Sequence, residues 1–403
     1  VPSRDPSARD WTGIVEVRFQ DYSPFTASGR LWSSLTPRPR FQFEVDLRET
    51  GGVSHLRVGP AIIVLADEGL EYEAMVSYTD GFMLRGSLTG RPPLPESTAF
   101  AMGFSVINLH PDIRLPRSLE VDGWRIETWL ADDVQPEQRR ESMYENTHGG
   151  RISRVGDEPF AITDAFEVLD RRWRLAVSFA TGSRVGVWEH HAESQAGRLS
   201  WVARGSPWVQ PFANRYQPVR ISSSGDAATA ITSLMRHLDT PAMALAVNYL
   251  LESLDTTIPC ELQITSACAG LECLSWYTLV ESSHAGTRRE RKARFERMRA
   301  ADKFRHTFSR AVPASARFPA MDTTSIPQDA AKDIFSAVAW LRNRAVHPTG
   351  GVLESQAAIE GTRAAICILT LGVLHFIDFR GQFLDTLGPA TTYCQVPWAA
   401  HPT

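Results

Sequence analysis

The sequence predicts an α+β multidomain protein, with a β-rich, sandwich-like N-terminal half followed by an all-helical half. Two observations carry this. Up to about residue 222, apolar residues sit in short runs rich in aromatic and β-branched side chains, punctuated by glycine turns. Past Ser222-Ser223-Ser224-Gly225 they recur instead about every 3.6 residues. The chain has 403 residues, enough for two or three domains, and its 43% hydrophobic and 22% charged content is that of an ordinary globular protein.

In the first half, Trp11–Phe19, Phe41–Leu47, Ala61–Ala66, Glu71–Tyr78 and Gly81–Leu88 read as strands, with turns at Gly51-Gly52, Asp67-Glu68-Gly69 and Asp80-Gly81. Thr98–Leu109 and Ser118–Leu130 continue the pattern, which suits a sandwich or a curved antiparallel sheet. Residues 132–160 are polar and glycine-bearing and read as a long loop or lobe junction, giving sub-lobes 1–135 and 150–222 within an N-terminal region 1–222. Asp164, with Glu167 three residues on, has the form of a capping box and predicts a helix over 164–181 that ends near Gly182. Arg184–Glu189 and Gly197–Ala203 read as two more strands.

The region 223–403 reads as helices only, at 226–238, 241–254, 260–283, 287–311, 327–346 and 353–379. Pro241, Pro259, Pro313, Pro327 and Pro348 stand at starts and ends. The most apolar stretch, Ala364 to Ile377, is too short for a membrane span, and the opening VPSRDPSARD is polar, so the expectation is a cytoplasmic protein without a membrane partner. The five cysteines form no CxxC pair and read as reduced core thiols. The net charge of -4 argues against a uniformly basic nucleic-acid coat but not against a basic face. Such a face exists locally: Thr287–Arg305 holds nine basic residues against three acidic ones.

The segment that carries chemistry is Trp340-Leu341-Arg342-Asn343-Arg344-Ala345-Val346-His347-Pro348. Pro348 disfavours helical geometry at the residue before it, which puts His347 at a helix C-terminal edge. Asn343 stands four residues earlier, placed to hydrogen-bond the imidazole and fix its tautomer. A guanidinium offers a planar fork to phosphate oxygens and an imidazole exchanges protons near neutral pH. Arg342 and His347 together therefore suit cleavage of RNA through its 2′-hydroxyl, with no metal or other cofactor. As a pattern, Arg and His a few residues apart is weak; Arg184…His190 and Arg299…His306 repeat it. The bland reading of 342–347 is a helix end with cations set against its dipole.

Arg288, Arg291 and Lys292 in the run RRERKARFERMR, together with Arg344, are candidates for contact with an RNA backbone, against the plainer reading of a solvated helix. Glu272, an acid within an apolar helix, is a candidate supporting residue that could pair with Arg342 or Arg344. Glu189-His190-His191 resembles a metal cluster only superficially, because adjacent strand residues face opposite sides. Trp188, Trp201 and Trp208 read as packing residues.

With these residues in view, RNRAVHP resembles the Arg-x4-6-His signature of the HEPN superfamily, and the helical order over 241–379 resembles its bundle. The β-rich first half and the tail Gln395-Val396-Pro397-Trp398 resemble the ApeA-like anti-phage HEPN proteins. The resemblance implies a homodimer through the helical domain with a composite site. It also implies metal-independent endoribonuclease activity in defence or toxin settings, with tRNA as one candidate substrate and a phage-derived trigger sensed by the first half. Arg342 and His347 would be the catalytic pair and Asn343 the supporting polar residue. The basic insert at 287–311 is longer than a minimal bundle needs, so its role is not inherited. Two other classes stay open at this point: a catalytically inactive HEPN binding or dimerisation protein, and a ligand- or carbohydrate-binding β domain with a helical half that oligomerises.

Overall fold

In the computed structural model of the protein, the residues described are 11–34, 40–50, 58–66, 69–80, 82–89, 94, 96–109, 115–131, 146–195, 199–203, 216–220, 224–347, 354–387 and 391–400. The expected turns at Gly51-Gly52 and Asp67-Glu68, the segment 132–145, Trp208, Pro348 and the side chain of Trp201 lie outside them.

The first strands are β1 (Trp11–Arg18), β2 (Phe25–Ser34), β3 (Arg40–Asp46), β4 (Gly59–Leu65), β5 (Leu70–Thr79) and β6 (Met83–Leu88). They close into an antiparallel barrel in the order β1-β2-β3-β6-β5-β4, with β1 pairing back onto β4. Period-two patterning dictates its inside. Along β5, Tyr72, Ala74 and Val76 are buried while Glu71, Glu73 and Met75 are exposed. Val17, Phe41, Phe43, Val45, Ile63, Tyr72 and Leu84 fill the interior. The β-rich first half expected from the sequence is thus present, and of the two forms expected for it the curved antiparallel sheet is the one seen here, closed into a barrel. The sequence reading did not single out β2 (FTASGRLWSS), which has few large apolar residues; its inward positions are Ala27 and Leu31, with Thr26, Ser28 and Arg30 exposed between and around them, and it is paired on both sides, by β1 and β3.

Next come β7 (Thr98–Ala99), β8 (Ala101–Ile107), β9 (Ser118–Val121), β10 (Trp124–Leu130), β11 (Asn146–Arg154) and β12 (Phe160–Ala161). After two helices follow β13 (Gly186–Glu193) and β14 (Leu199–Ala203). A second sheet runs β14-β13-β8-β11-β10-β9, and β8, next to its middle, is buried at every residue. The long loop expected over 132–160 is corrected from residue 146 on, where β11 pairs with both β10 and β8. Its sequence NTHGGRISR reads as loop because of two glycines, and those glycines are what the packing demands. A β-carbon on Gly149 would lie 2.6 Å from Trp129 Nε1, and one on Gly150 2.2 Å from Phe104 Cζ.

The helix expected over 164–181 begins earlier, as α1 (Ile162–Phe166). It widens into a π-helical stretch over Glu167–Trp173 and ends as α2 (Arg174–Thr181), with Gly182 at φ 67°. Asp164 lies inside the first turn; the N-cap is Ala161, which makes no side-chain cap, so the expected capping box does not form.

The helical region holds α3 (Ser224–His237), α4 (Pro241–Ser253), α5 (Cys260–Trp276), α6 (Arg288–Arg297), α7 (Ala300–Phe308), α8 (Ile334–Val346) and α9 (Ser355–Phe376). Four of the six expected helices match closely. The one expected over 287–311 is broken in two at Met298 and Arg299, both in extended conformation. The one expected over 327–346 starts at Ile334, after turns. The helices-only reading is also corrected at the end, where β15 (Gln382–Asp385) and β16 (Thr392–Gln395) form a hairpin.

The α9 helix has the length and apolarity of a membrane span, but 83% of its most apolar window is buried within the protein, as for a bundle core. The chain divides into two compact units: residues 1–111, 123–169 and 185–212 form one, and residues 112–122, 170–184 and 213–403 the other. In the latter, Arg184 is 2% exposed and donates from Nη1 to Asn248 Oδ1 (2.9 Å) and from Nη2 to the Asn248 carbonyl (3.0 Å) on α4. Burial lowers its pKa to about 10.

Candidate active site

The α8 helix is fixed at its start before it presents anything at its end. Asp333 caps it, accepting from the Ser336 amide (2.9 Å), and Arg305 on α7 donates to Asp333 Oδ2 (2.7 Å) and to Ser336 Oγ (3.1 Å). Burial by itself would raise the Asp333 pKa, but the Ser336 amide and the Arg305 guanidinium outweigh it and hold the carboxyl below its ordinary value. The helix then buries Ile334, Phe335, Ala337, Val338, Ala339 and Leu341.

The far end carries the residues singled out in the sequence. Arg342 is half-buried, and Asn343 and His347 are exposed. Arg342 Nη1 donates to Asn343 Oδ1 (3.3 Å), while its buried Nε has no hydrogen-bond acceptor among the described residues. His347 is the C-cap residue. Its backbone N–H donates to the Asn343 carbonyl (2.9 Å), but its φ of -122° and ψ of 83° have left the helix. That departure corrects the expected Asn343–imidazole hydrogen bond: the four-residue stacking that would align the two side chains holds only inside a helix, and Asn343 is engaged by Arg342 instead. The His347 ring makes no hydrogen bond among the described residues.

Arg342 also faces α5. Burial pushes the Cys268 thiol up to about 12, with the Arg342 charge opposing that shift and the Glu272 charge adding to it. Glu272 is therefore in the same neighbourhood, half-buried, but among the described residues no ion pair within 4 Å joins it to Arg342 or Arg344. Arg344 is half-buried with its guanidinium 5.7 Å from the Trp340 ring centroid.

The basic candidates divide. Arg288 is exposed, 3.9 Å from Glu281, and Lys292 is exposed, 3.7 Å from Glu296. Both are weakly held surface cations. Arg291 turns inward instead, donating from Nε to the Val280 carbonyl (2.7 Å) and from Nη1 to the Gly286 carbonyl. Its first role is to tie α6 to the end of the preceding helix. Sequence reading passed over Arg305 and Asp333, which steady α8; the signal available was Asp333 three residues before Ser336, the spacing of an N-cap.

Of the residues weighed for metal, His190 is buried and packs on Phe166 (ring centroids 4.5 Å apart), whereas half-exposed His191 lies 3.9 Å from Glu193. Among the described residues no group of three or more His, Cys, Asp or Glu side chains is gathered to hold a metal ion. Trp188 is a core residue, its ring 5.1 Å from that of Phe41.

Residues 237–395 match the YopA C-terminal domain, and residues 112–215 match the YopA central domain. The chain is similar to YopA over both stretches. The YopA C-terminal match takes in α4 through α9 and with them Arg342, Asn343 and His347. No curated protein and no solved structure matches the chain.

Proposed function

We propose that the chain is a metal-independent endoribonuclease of HEPN type, acting as a cytoplasmic defence or toxin effector on RNA, with tRNA as a candidate substrate. The observation that supports this reading best is the end of α8. There a half-buried guanidinium and an exposed imidazole stand within one and a half turns on a helix anchored at its other end.

In the proposed reaction, an imidazole takes the proton of a ribose 2′-hydroxyl and the 2′-oxygen attacks the adjacent phosphorus. The bond to the 5′-oxygen breaks, and that oxygen leaves with a proton. The products are a 2′,3′-cyclic phosphate and a 5′-hydroxyl. Arg342 would stabilise the charge on the non-bridging oxygens, and Asn343, already bonded to Arg342, would set its direction. A homodimer that brings two such helix ends into one groove would let one His347 act as base and the other as acid. The trigger-sensing role of the first half rests on the resemblance alone.

The test is incubation of the full chain with total RNA and with tRNA in the presence of a chelator, beside the Arg342→Ala and His347→Ala variants. Cleavage lost by about a hundredfold or more in both variants, with cyclic-phosphate ends and no cutting of a substrate 2′-deoxy at the scissile nucleotide, is the expected result. Equal cleavage by wild type and variants overturns the reading. So does absence of cleavage together with equal growth of cells overproducing wild type or His347→Ala.

A further inference from the structure

Within the helical unit, α4 and α5 leave a concavity of about 530 Å³, edged by Phe295 in the last turn of α6. Its walls are the aromatic side chains of Tyr249, Trp276 and Phe295, with Leu245 at the rim and the carboxylates of Glu272 and Glu281. The two acids are not equivalent. Glu281 Oε1 accepts from Trp276 Nε1 (3.0 Å) and lies 3.9 Å from Arg288. Its place under the indole follows from the π-helical stretch Tyr277–Glu281, in which the Ser282 amide reaches back five residues to the Tyr277 carbonyl (2.8 Å). A π turn stacks residues five apart, as Trp276 and Glu281 are. Glu281 thus holds the indole in place. Glu272 is half-buried and has no hydrogen bond or ion pair among the described residues.

A carboxylate without a partner beside oriented aromatic rings is complementary to one kind of ligand. The negative faces of the rings and the negative charge both attract a cation, and the apolar wall accepts its carbon atoms. The protein already uses one of these rings in that manner: Lys303 Nζ lies 4.0 Å from the Phe295 ring centroid. An anion would meet two carboxylates here, and a neutral apolar ligand would leave Glu272 buried and unpaired.

We propose that this concavity binds a small organic cation bearing an alkylammonium or guanidinium group, with Glu272 as its counter-ion and Trp276 and Tyr249 as its aromatic walls. The inference does not depend on the nuclease reading.

Calorimetric titration of the full chain with spermidine, choline and agmatine, at matched ionic strength and with potassium chloride as control, tests it. The expected result is saturable one-site binding of at least one of the three. Glu272→Gln, which keeps shape and loses charge, should weaken that binding about tenfold or more, and Trp276→Phe about two- to fivefold. Leu245→Lys places a like charge at the rim and should also weaken binding. Leu245 is 49% exposed, so this variant keeps the core intact should Glu272→Gln fold poorly. No saturable binding of any of the three cations overturns the proposal, as does wild-type affinity in Glu272→Gln or in Leu245→Lys.

Discussion

Leu341 occupies the space that a side chain on Gly361 would need: a β-carbon there would lie 2.2 Å from Leu341 Cδ1. Leu341 is wholly buried and immediately precedes Arg342, so this contact between α8 and α9 sets where the guanidinium emerges. Gly361→Val should cost about 1–3 kcal/mol by overpacking. It should also lower RNA cleavage more than that loss of stability accounts for. Urea unfolding and a cleavage assay well below the unfolding midpoint check both; an unchanged midpoint removes the close-packing argument.

Asp333 makes the anchoring of α8 pH-dependent. Its folded pKa lies below the ordinary 3.8. The stabilisation it contributes is therefore fully present above that ordinary value and is lost as pH falls through the lower folded one. Asp333→Ala should lower stability at neutral pH by about 1 kcal/mol, the usual worth of an N-cap. The gap between variant and parent should close on acidification below 3.8. Paired denaturation curves over a pH series would show it, and a gap that persists in acid would count against the assignment.

How far the molecule could be read from its sequence depended on what each residue had to satisfy. The helices were legible because their apolar periodicity and prolines are local, and the alternation of β5 was equally plain. The β2 and β11 strands were not, since the first is polar and the second needs two glycines where Trp129 and Phe104 pass over it. Barrel closure depends on β1 meeting β4, a pairing across some 45 residues that no local pattern encodes. At the site, the position of His347 at a helix end followed from Pro348. The partner of Asn343 did not, because it turns on one backbone residue leaving helical dihedrals. The inward turn of Arg291 depends on where the Val280 carbonyl ends up, and Arg288 beside it carries the same charge with none of that constraint.

Arg291 and its neighbours should therefore separate by variant. Arg291→Ala removes two bonds to backbone carbonyls and should destabilise by about 1–3 kcal/mol. Arg288→Ala and Lys292→Ala should leave stability within about 0.5 kcal/mol of wild type. If these two cations contact RNA, each substitution should reduce the salt dependence of binding by about 0.7 in logarithmic slope. Filter binding across a salt series, beside thermal melts, distinguishes the two roles.

The thiols offer a direct check on the bundle core. Burial pushes the Cys268 and Cys367 thiols up to about 12, so that both stay protonated at the mildly alkaline pH used for alkylation. Both should resist iodoacetamide in the native protein and react once it is unfolded, while half-buried Cys260, Cys273 and Cys394 should be modified sooner. Mass mapping of alkylated peptides would reveal early labelling of Cys268 if the packing beneath Arg342 were loose.

The union of β1 with β4 has a consequence for recruitment. A cylinder that meets itself uses the backbone donors and acceptors of its seam, here Val15–Arg18 against Ile62–Leu65, so along that stretch no incoming segment can be stitched on as an additional strand. Whatever associates with that part of the molecule must do so through side chains on its outer wall or through the connections at its two rims. Substitutions there, rather than changes to the ladder, would then be the means of altering what it recognises.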